Sequence, residues 1–319
     1  MRDEASLVKS TARQGALLQI SPPPYGTPMT TRRFLQLDVF APRPGTGNPL
    51  AVVLDADGLD DAAMQAIARW TRLPETTFVF APTTPGSSYR IRMFAPQKEV
   101  PFAGHPSVGS AHAVLECGLA APVDGLLVQD GIAGQLPLRV DEADGVRRIA
   151  IRTPRASVAE VVEADDPRLH PAIAGWALGV LPPVLMDGGR RWWLVELADE
   201  STLRALVPDW DAIATLAEAT GAMGVFAYAR SSGQPHDLAV RAFVGNGRRF
   251  EDAASGAANA VLAAWLDERG ALPGSGRRYI ASQGREVGHD ALLELRIDER
   301  GDVWSGGQVQ TVIRGTIDW

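Results

Sequence analysis

The chain has 319 residues, of which 45% are apolar and 22% are charged, and its formal net charge is −7 at pH 7. This composition is typical of a globular protein, and the length suffices for two domains of ordinary size. Because the balance is acidic and no run of Lys and Arg interrupts it, the sequence argues against nucleic acids and acidic membrane surfaces as partners.

The number of cysteines excludes some classes of site. Cys117 is the only cysteine, so the chain forms no internal disulfide and no metal site built from several thiolates. We find no His/Cys cluster, no phosphate loop and no dinucleotide glycine fingerprint. The sequence therefore predicts a protein of a reducing, cytoplasmic setting without a metal or another cofactor.

Residues 1–28 are polar and irregular, and they contain no apolar run long enough for a signal peptide or a membrane span. We expect a disordered leader over this segment. Met29 directly precedes a strand pattern and is a more natural start, so the leader is interpreted as the product of a misplaced start codon. A regulatory arm is the alternative.

The first half of the chain predicts the order strand, strand, helix, strand, strand, helix, from alternating apolar positions, helical spacing and cap residues. The predicted elements are strands over 34–40 and 50–54, a helix between Asp60 and Pro74, strands over 76–80 and 89–94, and a helix from about 106 to 117. The second half repeats this order. Its elements are a strand over 193–197, a helix over 209–219, strands over 225–228 and 238–243, and a helix over 256–269.

Segments 102–109 and 250–257 echo one another, since each closes a strand-like run and opens an Ala-rich helical one. An alignment that pairs Gly109 with Gly256 makes the two helix starts equivalent, which indicates a duplicated domain. A helix start carries unpaired N–H groups and the positive end of the helix dipole. Two such starts facing one cleft would bind a small carboxylate-bearing molecule.

Three side chains near these starts are candidates for chemistry. Glu75 lies between a predicted helix and an apolar strand. The alternative to a catalytic role is a solvated residue at the end of a loop or a residue that caps the start of the strand. His105 lies just before or at a helix start. The alternative to a catalytic role is an ordinary surface histidine. Asp252 has the residue type of an N-cap, although a capping carboxylate already points to the helix mouth.

Small and polar residues around the candidates are open to two interpretations. The segment Ser255-Gly256-Ala257 lets a ligand approach the backbone closely, but small residues also permit tight packing of a helix on a sheet. Asn48 lies in a turn between strands and is by default a turn residue.

Four sequence blocks resemble the PhzF-like family of phenazine biosynthesis proteins, in the family's order, and the resemblance runs from about residue 33 to the end. The blocks are Gly47-Asn48-Pro49-Leu50-Ala51-Val52-Val53, Pro74-Glu75-Thr76-Thr77-Phe78-Val79, Pro101-Phe102-Ala103-Gly104-His105-Pro106 and Glu251-Asp252-x-x-Ser255-Gly256. The resemblance implies an α+β fold of the diaminopimelate-epimerase type, with two pseudo-symmetric domains that each wrap a mixed, barrel-like sheet around a central helix.

On this basis we expect residues 29–120, joined by a C-terminal strand at about 300–319, to form one half of the molecule and residues 121–299 to form the other. The resemblance also implies a homodimer.

The same resemblance implies roles for individual residues. Glu75 would be the general acid/base, and His105 and Asp252 would assist proton movement and orient the substrate. The substrate-binding candidates, which would hold a small-molecule carboxylate at the two helix starts, are Asn48, Gly104, Ser255, Gly256 and Ala257.

One departure from the family concerns the last block. Ala253 replaces the family's proline, and Ser255-Gly256-Ala257 replaces a Thr-Gly-Ser stretch, so one hydroxyl is missing. Asn259, half a turn further on, either replaces that hydroxyl or contacts a different group of the substrate. The resemblance therefore implies proton-transfer chemistry more firmly than it implies any one substrate.

The expected function is a cofactor-independent isomerase that moves a proton within a small unsaturated or cyclic carboxylic acid. Epimerases of this fold use one cysteine from each domain, and the single Cys117 excludes a two-thiol racemase. The alternatives are a lyase or epimerase-like enzyme for another small amino or hydroxy acid, and a non-catalytic protein that binds a small acid.

Overall fold

The computed structural model of the protein describes residues 29–319, so the predicted leader lies outside the described residues. Within this range the chain is an α+β structure with one continuous mixed sheet and six α-helices. The strands are β1 Thr31–Val39, β2 Asn48–Val53, β3 Glu75–Phe80, β4 Tyr89–Phe94, β5 Glu99–Val100, β6 Leu126–Asp130, β7 Leu136–Ala143, β8 Val146–Thr153, β9 Ser157–Val161, β10 Val184–Asp187, β11 Arg191–Glu196, β12 Ala222–Arg230, β13 Leu238–Val244, β14 Phe250–Asp252, β15 Arg278–Gln283, β16 Ala291–Ile297, β17 Val303–Gly307 and β18 Val309–Asp318. The helices are α1 Asp61–Thr71, α2 Gly104–Glu116, α3 His170–Ile173, α4 Glu200–Arg204, α5 Trp210–Thr220 and α6 Gly256–Glu268.

Local sequence signals begin and end α1 and α5 close to where they were predicted, whereas α2 begins at Gly104, two residues before its predicted start, and the short helices α3 and α4 were not predicted. The Asp60 side chain caps α1 by accepting a hydrogen bond of 2.8 Å from the Ala63 N–H. The helix ends at Arg72 in the left-handed conformation, just before Pro74. Helix α5 ends in the same way at Gly221, whose φ of 64° suits a residue without a side chain.

The sheet has the same pairing pattern in both halves of the chain. In the first half β1–β2 and β3–β4 are antiparallel, whereas β2–β3 and β4–β6 are parallel and connected through α1 and α2. The second half repeats this with β10–β11 and β12–β13 antiparallel and with β11–β12 and β13–β15 parallel. The repeated order of elements follows the duplication in the sequence.

Three further pairings lie where the halves join. Strands β8 and β17 pair in antiparallel fashion. Strand β9, which follows β8, pairs with β10, and in the same way β18, which follows β17, pairs with β1. Strand β18 is thus hydrogen-bonded to β1, and the expected division of the chain into domains stays a prediction. Strand pairing also groups residues 126–153 with the strands that precede them, while the domain boundary at residue 120 stays a prediction.

Helices α2 and α6 form the centre of the fold, because most of their residues are buried on every face. Helix α2 packs against β1, β2, β3 and β8, and α6 packs against β16 and β17. No helix in the part of the chain that the structure describes is both long and apolar enough to cross a bilayer.

The alignment of the two helix starts is wrong by several residues. The structure places Gly104, not Gly109, at the position equivalent to Gly256, since each of these two glycines opens its helix. Gly109 lies inside α2, where an added Cβ would come within 2.5 Å of Leu50 Cδ2 and 2.9 Å of Val39 Cγ2. Small residues are needed both at a helix start and at a packed helix face, so the sequence spacing did not separate the two uses.

Candidate active site

The N-termini of α2 and α6 meet where the two halves join. A Cβ added at Gly104 would lie 3.5 Å from both the Gly256 Cα and the Ala257 nitrogen, so the two backbones are almost in contact. Helix geometry leaves the first N–H groups of each helix without an intrahelical partner. Among the described residues none accepts a hydrogen bond from the N–H of Gly104, His105, Gly256 or Ala257. The junction therefore presents N–H groups and two positive helix ends to one place.

Glu75 is placed at this junction by the parallel pairing of β3 with β2, in which it lies opposite Leu50. Its side chain is 18% exposed, and Oε2 lies 3.4 Å from His105 Nε2. Burial and the negative charge of Asp252 raise the pKa of Glu75 from 4.5 to about 7, while Arg190 acts in the opposite direction. Glu75 can therefore hold or release a proton near neutral pH.

His105 is the second residue of α2 and is 7% exposed. Burial lowers its pKa from 6.5 to about 3, so the imidazole is neutral at neutral pH. Although Glu75 Oε2 lies 3.4 Å away, Nε2 makes no hydrogen bond to any of residues 29–319. A buried nitrogen without a partner is costly, so Nε2 is available to a bound ligand.

Asp252 ends β14 and is held beside the start of α6. Its Oδ1 accepts hydrogen bonds of 3.3 Å from the Ala254 N–H and of 3.4 Å from Asn48 Nδ2. Burial raises the pKa of Asp252, and the nearby Ala254 N–H and the positive charge of Arg190 offset part of this effect.

Asn48 connects the two halves of the molecule. Besides contacting Asp252, its Nδ2 donates a hydrogen bond of 2.8 Å to the Ala254 carbonyl oxygen. The residue is 3% exposed, and its Oδ1 has no partner in the described part of the chain. Asn48 thus positions the segment before α6, and only its oxygen remains available to a ligand.

The start of α6 is organised by side chains that the sequence analysis assigned only in part. Ser255 is the N-cap, and its Oγ accepts a 3.3 Å hydrogen bond from the Ala258 N–H. Asn259 uses its Nδ2 twice, donating 2.9 Å hydrogen bonds to the Ser255 carbonyl oxygen and to Gln283 Oε1. The Asn259 amide nitrogen therefore stabilises the loop, whereas its Oδ1 has no partner among the described residues, so a role in place of the missing hydroxyl stays a prediction.

Gln283 is a site residue that the sequence analysis missed. It is fully buried at the end of β15, its Nε2 donates a 2.8 Å hydrogen bond to the Asp252 carbonyl oxygen, and its Oε1 accepts one of 3.2 Å from the Ser255 N–H. Gln283 thus joins β14 to the start of α6. No sequence signal marks a lone glutamine at a strand end for this role.

Arg190 is the second residue that was missed. It lies exposed on the turn between β10 and β11, and its positive charge lowers the pKa of both Glu75 and Asp252. The turn is seated against α6, since a Cβ added at Gly188 would come within 2.8 Å of Val261 Cγ2. The Gly-Gly-Arg sequence of this turn is the signal that could have pointed to it.

The structure thus brings Glu75, His105 and Asp252 to the paired helix starts, together with the substrate-binding candidates Asn48, Gly104, Ser255, Gly256 and Ala257. Cys117 caps the opposite end of α2, about 20 Å from Gly104 at 1.5 Å per residue. No group of three or more His, Cys, Asp or Glu side chains suited to a metal ion occurs between residues 29 and 319.

Comparison with known proteins gives consistent matches over nearly the whole chain. A sequence model of the family described as phenazine biosynthesis-like protein (PhzC-PhzF) matches residues 37–315. Antisense-enhancing sequence 1 of Schizosaccharomyces pombe is 32% identical, over 90% of this chain and 99% of its own length. Trans-2,3-dihydro-3-hydroxyanthranilate isomerase of Pseudomonas aeruginosa is 31% identical, over 87% of this chain and 94% of its own length. The crystal structure of a PhzF-family phenazine biosynthesis protein of Bacillus anthracis has the same fold, with a TM-score of 0.74 at 23% identity over 91% of this chain and 99% of that one.

Proposed function

The chain belongs to the phenazine biosynthesis-like protein family and is an isomerase, and from this premise we propose that it moves a proton within a small unsaturated or cyclic carboxylic acid by cofactor-independent catalysis. Glu75 is the general acid/base of this proposal. The observation that carries it is the pKa of Glu75, raised to about 7 in a site where two helix N-termini meet. A group that must accept a proton and then deliver it works best when its pKa is near the working pH.

The proposed reaction begins with binding of the substrate carboxylate at the helix starts. The free N–H groups of Gly104, His105, Gly256 and Ala257 supply donors, and the helix dipoles favour a negative charge there. A carboxylate so anchored would place the carbon atoms of the acid beside Glu75. This arrangement supports orientation of the substrate by the main chain.

The proton then moves through Glu75. Its ionised carboxylate takes a proton from the carbon α to the conjugated system, and the electron pair of the broken C–H bond shifts into that system. The protonated Glu75 returns the proton to another atom of the same system, so no atom is gained or lost. Neutral His105 offers its unpartnered Nε2 as a hydrogen-bond partner for the substrate during this step.

The rival functions make different demands on the site. A two-thiol racemase would need a second cysteine, and Cys117 itself lies at the far end of α2. A protein that only binds a small acid has no use for a carboxyl group whose pKa burial raises to about 7, so Glu75 favours an enzyme. A lyase or epimerase-like reaction on an amino or hydroxy acid uses the same groups and is distinguished by its product.

Turnover in deuterated water tests the proposal. The first probe is trans-2,3-dihydro-3-hydroxyanthranilate, taken from the name of the Pseudomonas aeruginosa relative, followed by a panel of small unsaturated carboxylic acids. For any acid that is converted, we expect an isomer with deuterium on one carbon. We expect Glu75→Gln to lower kcat by at least about 100-fold, the usual contribution of general acid/base catalysis.

Glu116→Gln is the matched control, because the Glu116 side chain is 23% exposed, close to the 18% of Glu75, but lies at the other end of α2. It should keep its activity. Full turnover by Glu75→Gln would remove the assigned role, and a product lighter by one water would identify a lyase.

A further inference from the structure

A second concave site lies on the side of the sheet away from the helix starts. It is a cavity of about 430 Å³ between β7, β8, β15, β16 and β17, where the two halves join. Ser305 on β17 faces α6, since its Oγ donates a 3.0 Å hydrogen bond to the Gly256 carbonyl oxygen, whereas its neighbour Trp304 lines the cavity. Successive residues of a strand point to opposite faces, so the cavity and the active site lie on opposite sides of β17.

Four arginines from four strands line this site, which we name the arginine cavity: Arg139, Arg148, Arg278 and Arg296. Three carboxylates, Asp141, Asp237 and Glu294, line it as well. Of these, Glu294 pairs with Arg148 at 2.8 Å, and Asp237 accepts a 2.8 Å hydrogen bond from the Ile280 N–H. The lining therefore keeps a positive balance in a chain whose net charge is −7.

Three of the four arginines of the cavity, all except Arg148, have no ion-pair partner in the described part of the chain. Arg278 and Arg296 are direct partners in the antiparallel register of β15 and β16, an arrangement that is destabilising for like charges. Neither they nor Arg139 form an ion pair within residues 29–319. Burial and the charges of Arg278 and Arg139 lower the pKa of Arg296, and the carboxylates of Asp141 and Asp298 offset only part of this effect.

One wall of the arginine cavity is held in place. The Arg139 guanidinium lies over the Trp304 ring, 4.8 Å from its centroid, and Trp304 Nε1 donates a 2.9 Å hydrogen bond to Asp298 Oδ2. A guanidinium so oriented still has donors for an anion, and planar guanidinium groups bind carboxylate and phosphate oxygens in pairs.

We propose that the arginine cavity binds a small multivalent oxyanion, a molecule with two or more phosphate or carboxylate groups, at a site separate from the active site. Such a ligand would replace the repulsion between Arg278 and Arg296 by attraction to both. The volume lies within the range of small-molecule sites. This inference does not depend on the reaction proposed for Glu75.

Calorimetric titration of the full chain tests the proposal, with inorganic pyrophosphate as one probe and citrate as the other. We expect one site that weakens from low to physiological ionic strength. The double variant Arg278→Gln/Arg296→Gln should weaken binding of the bound probe by at least about tenfold, because two charge-assisted contacts are lost. Binding of pyrophosphate alone would assign a phosphate ligand, and binding of citrate alone a polycarboxylate.

The control is Arg69→Gln/Arg248→Gln, which makes the same change of net charge at two exposed arginines outside the cavity. It should leave the affinity within about twofold, since neither arginine lines the cavity and exposed charges are screened by salt. An equal loss in both double variants would reveal a general charge effect and overturn the proposal. Unchanged affinity in Arg278→Gln/Arg296→Gln would show that these two arginines do not hold the anion and would also overturn the proposal. A failure of both probes to bind would overturn it as well.

The cavity variant should fold, because it removes a repulsive pair from a strand register. Thermal unfolding and sedimentation of the two double variants check this point. If only the cavity variant changes the oligomeric state and neither probe binds the unchanged protein, the face contacts a second copy of the chain and the anion site is refuted.

Discussion

At the scale of single residues, one physical cause sets two opposite protonation states. Burial disfavours the charged form of any group, so it raises the pKa of Glu75 to about 7 and lowers that of His105 to about 3. Near neutral pH the pair therefore consists of a carboxyl group that exchanges its proton readily and an imidazole that stays neutral. The close Asp252 carboxylate adds to the effect on Glu75.

Glu75→Gln is expected to change how stability depends on pH. The folded protein binds more protons than the unfolded chain between pH 4.5 and about 7, so Glu75 costs the wild type stability as the pH rises through this window. The free energy of unfolding of the variant minus that of the wild type should therefore be about 3 kcal/mol larger at about pH 8 than at about pH 4, so the variant is relatively more stable at the higher pH. Urea denaturation across this range measures the difference, and a flat difference would contradict the raised pKa.

His105→Asn is expected to act in the acid range. Because the folded pKa is about 3 and the ordinary value is 6.5, the stability linked to neutral His105 is present above pH 6.5 and is lost as the pH falls toward 3. The wild type should therefore lose roughly 3 kcal/mol relative to the variant between about pH 7 and about pH 4. Acid-dependent urea denaturation measures this loss, and His170→Asn, at an exposed position, controls for removal of an imidazole. Parallel curves for wild type and His105→Asn would argue against a buried neutral ring.

At the scale of elements, the start of α6 depends on side chains from neighbouring strands. A helix start near a ligand must keep some N–H groups free, so the loop before it is held by other groups. Gln283 from β15 and Asn48 from β2 do this by hydrogen bonds to the Asp252 to Ser255 segment. The short strand β14 alone pairs with β13 over only three residues, which explains why these further bonds are needed.

Gln283→Ala is expected to loosen this segment. The change leaves the Asp252 carbonyl oxygen, the Ser255 N–H and Asn259 Nδ2 short of a partner in a buried place, which should lower the free energy of unfolding by about 3 kcal/mol. Since the helix start would also be less well positioned, KM for any identified substrate should rise. Urea denaturation and steady-state kinetics measure both effects. Gln135→Ala, an exposed glutamine, should change neither, and an unchanged KM in Gln283→Ala would leave Gln283 a purely structural role.

At the scale of the whole molecule, the site exists only because the two halves meet. Glu75 and His105 come from the first half, and Asp252 and Arg190 come from the second. The halves are joined by β8, which contacts α2, and by β17, which contacts α6, and the outer side of these strands forms part of the arginine cavity. A charge in one half therefore changes the proton affinity of a group in the other.

Arg190→Gln tests this coupling. The positive charge of Arg190 lowers the pKa of Glu75 and of Asp252, so its removal should raise both values. If ionised Glu75 is the base, the rising limb of kcat/KM against pH should move to higher pH in this variant. Arg191→Gln is the matched control, because Arg191 is the next residue and pairs with Asp187 at 3.0 Å. A profile that stays in place would show that Arg190 does not act on the reacting group.

The longer helices, most of the strands that flank them, the cap at Asp60 and the stop at Gly221 were predicted from the sequence, because capping, turn chemistry and hydrophobic periodicity act between neighbouring residues. The role expected for Glu75 came from the resemblance of its sequence block to the family. Tertiary structure alone decided that Gly104 and not Gly109 faces Gly256, that Gln283 holds the start of α6, and that scattered arginines converge in one cavity. These features depend on pairing between segments far apart in the chain. Burial and electric fields are properties of the packed structure, so local sequence patterns do not contain them.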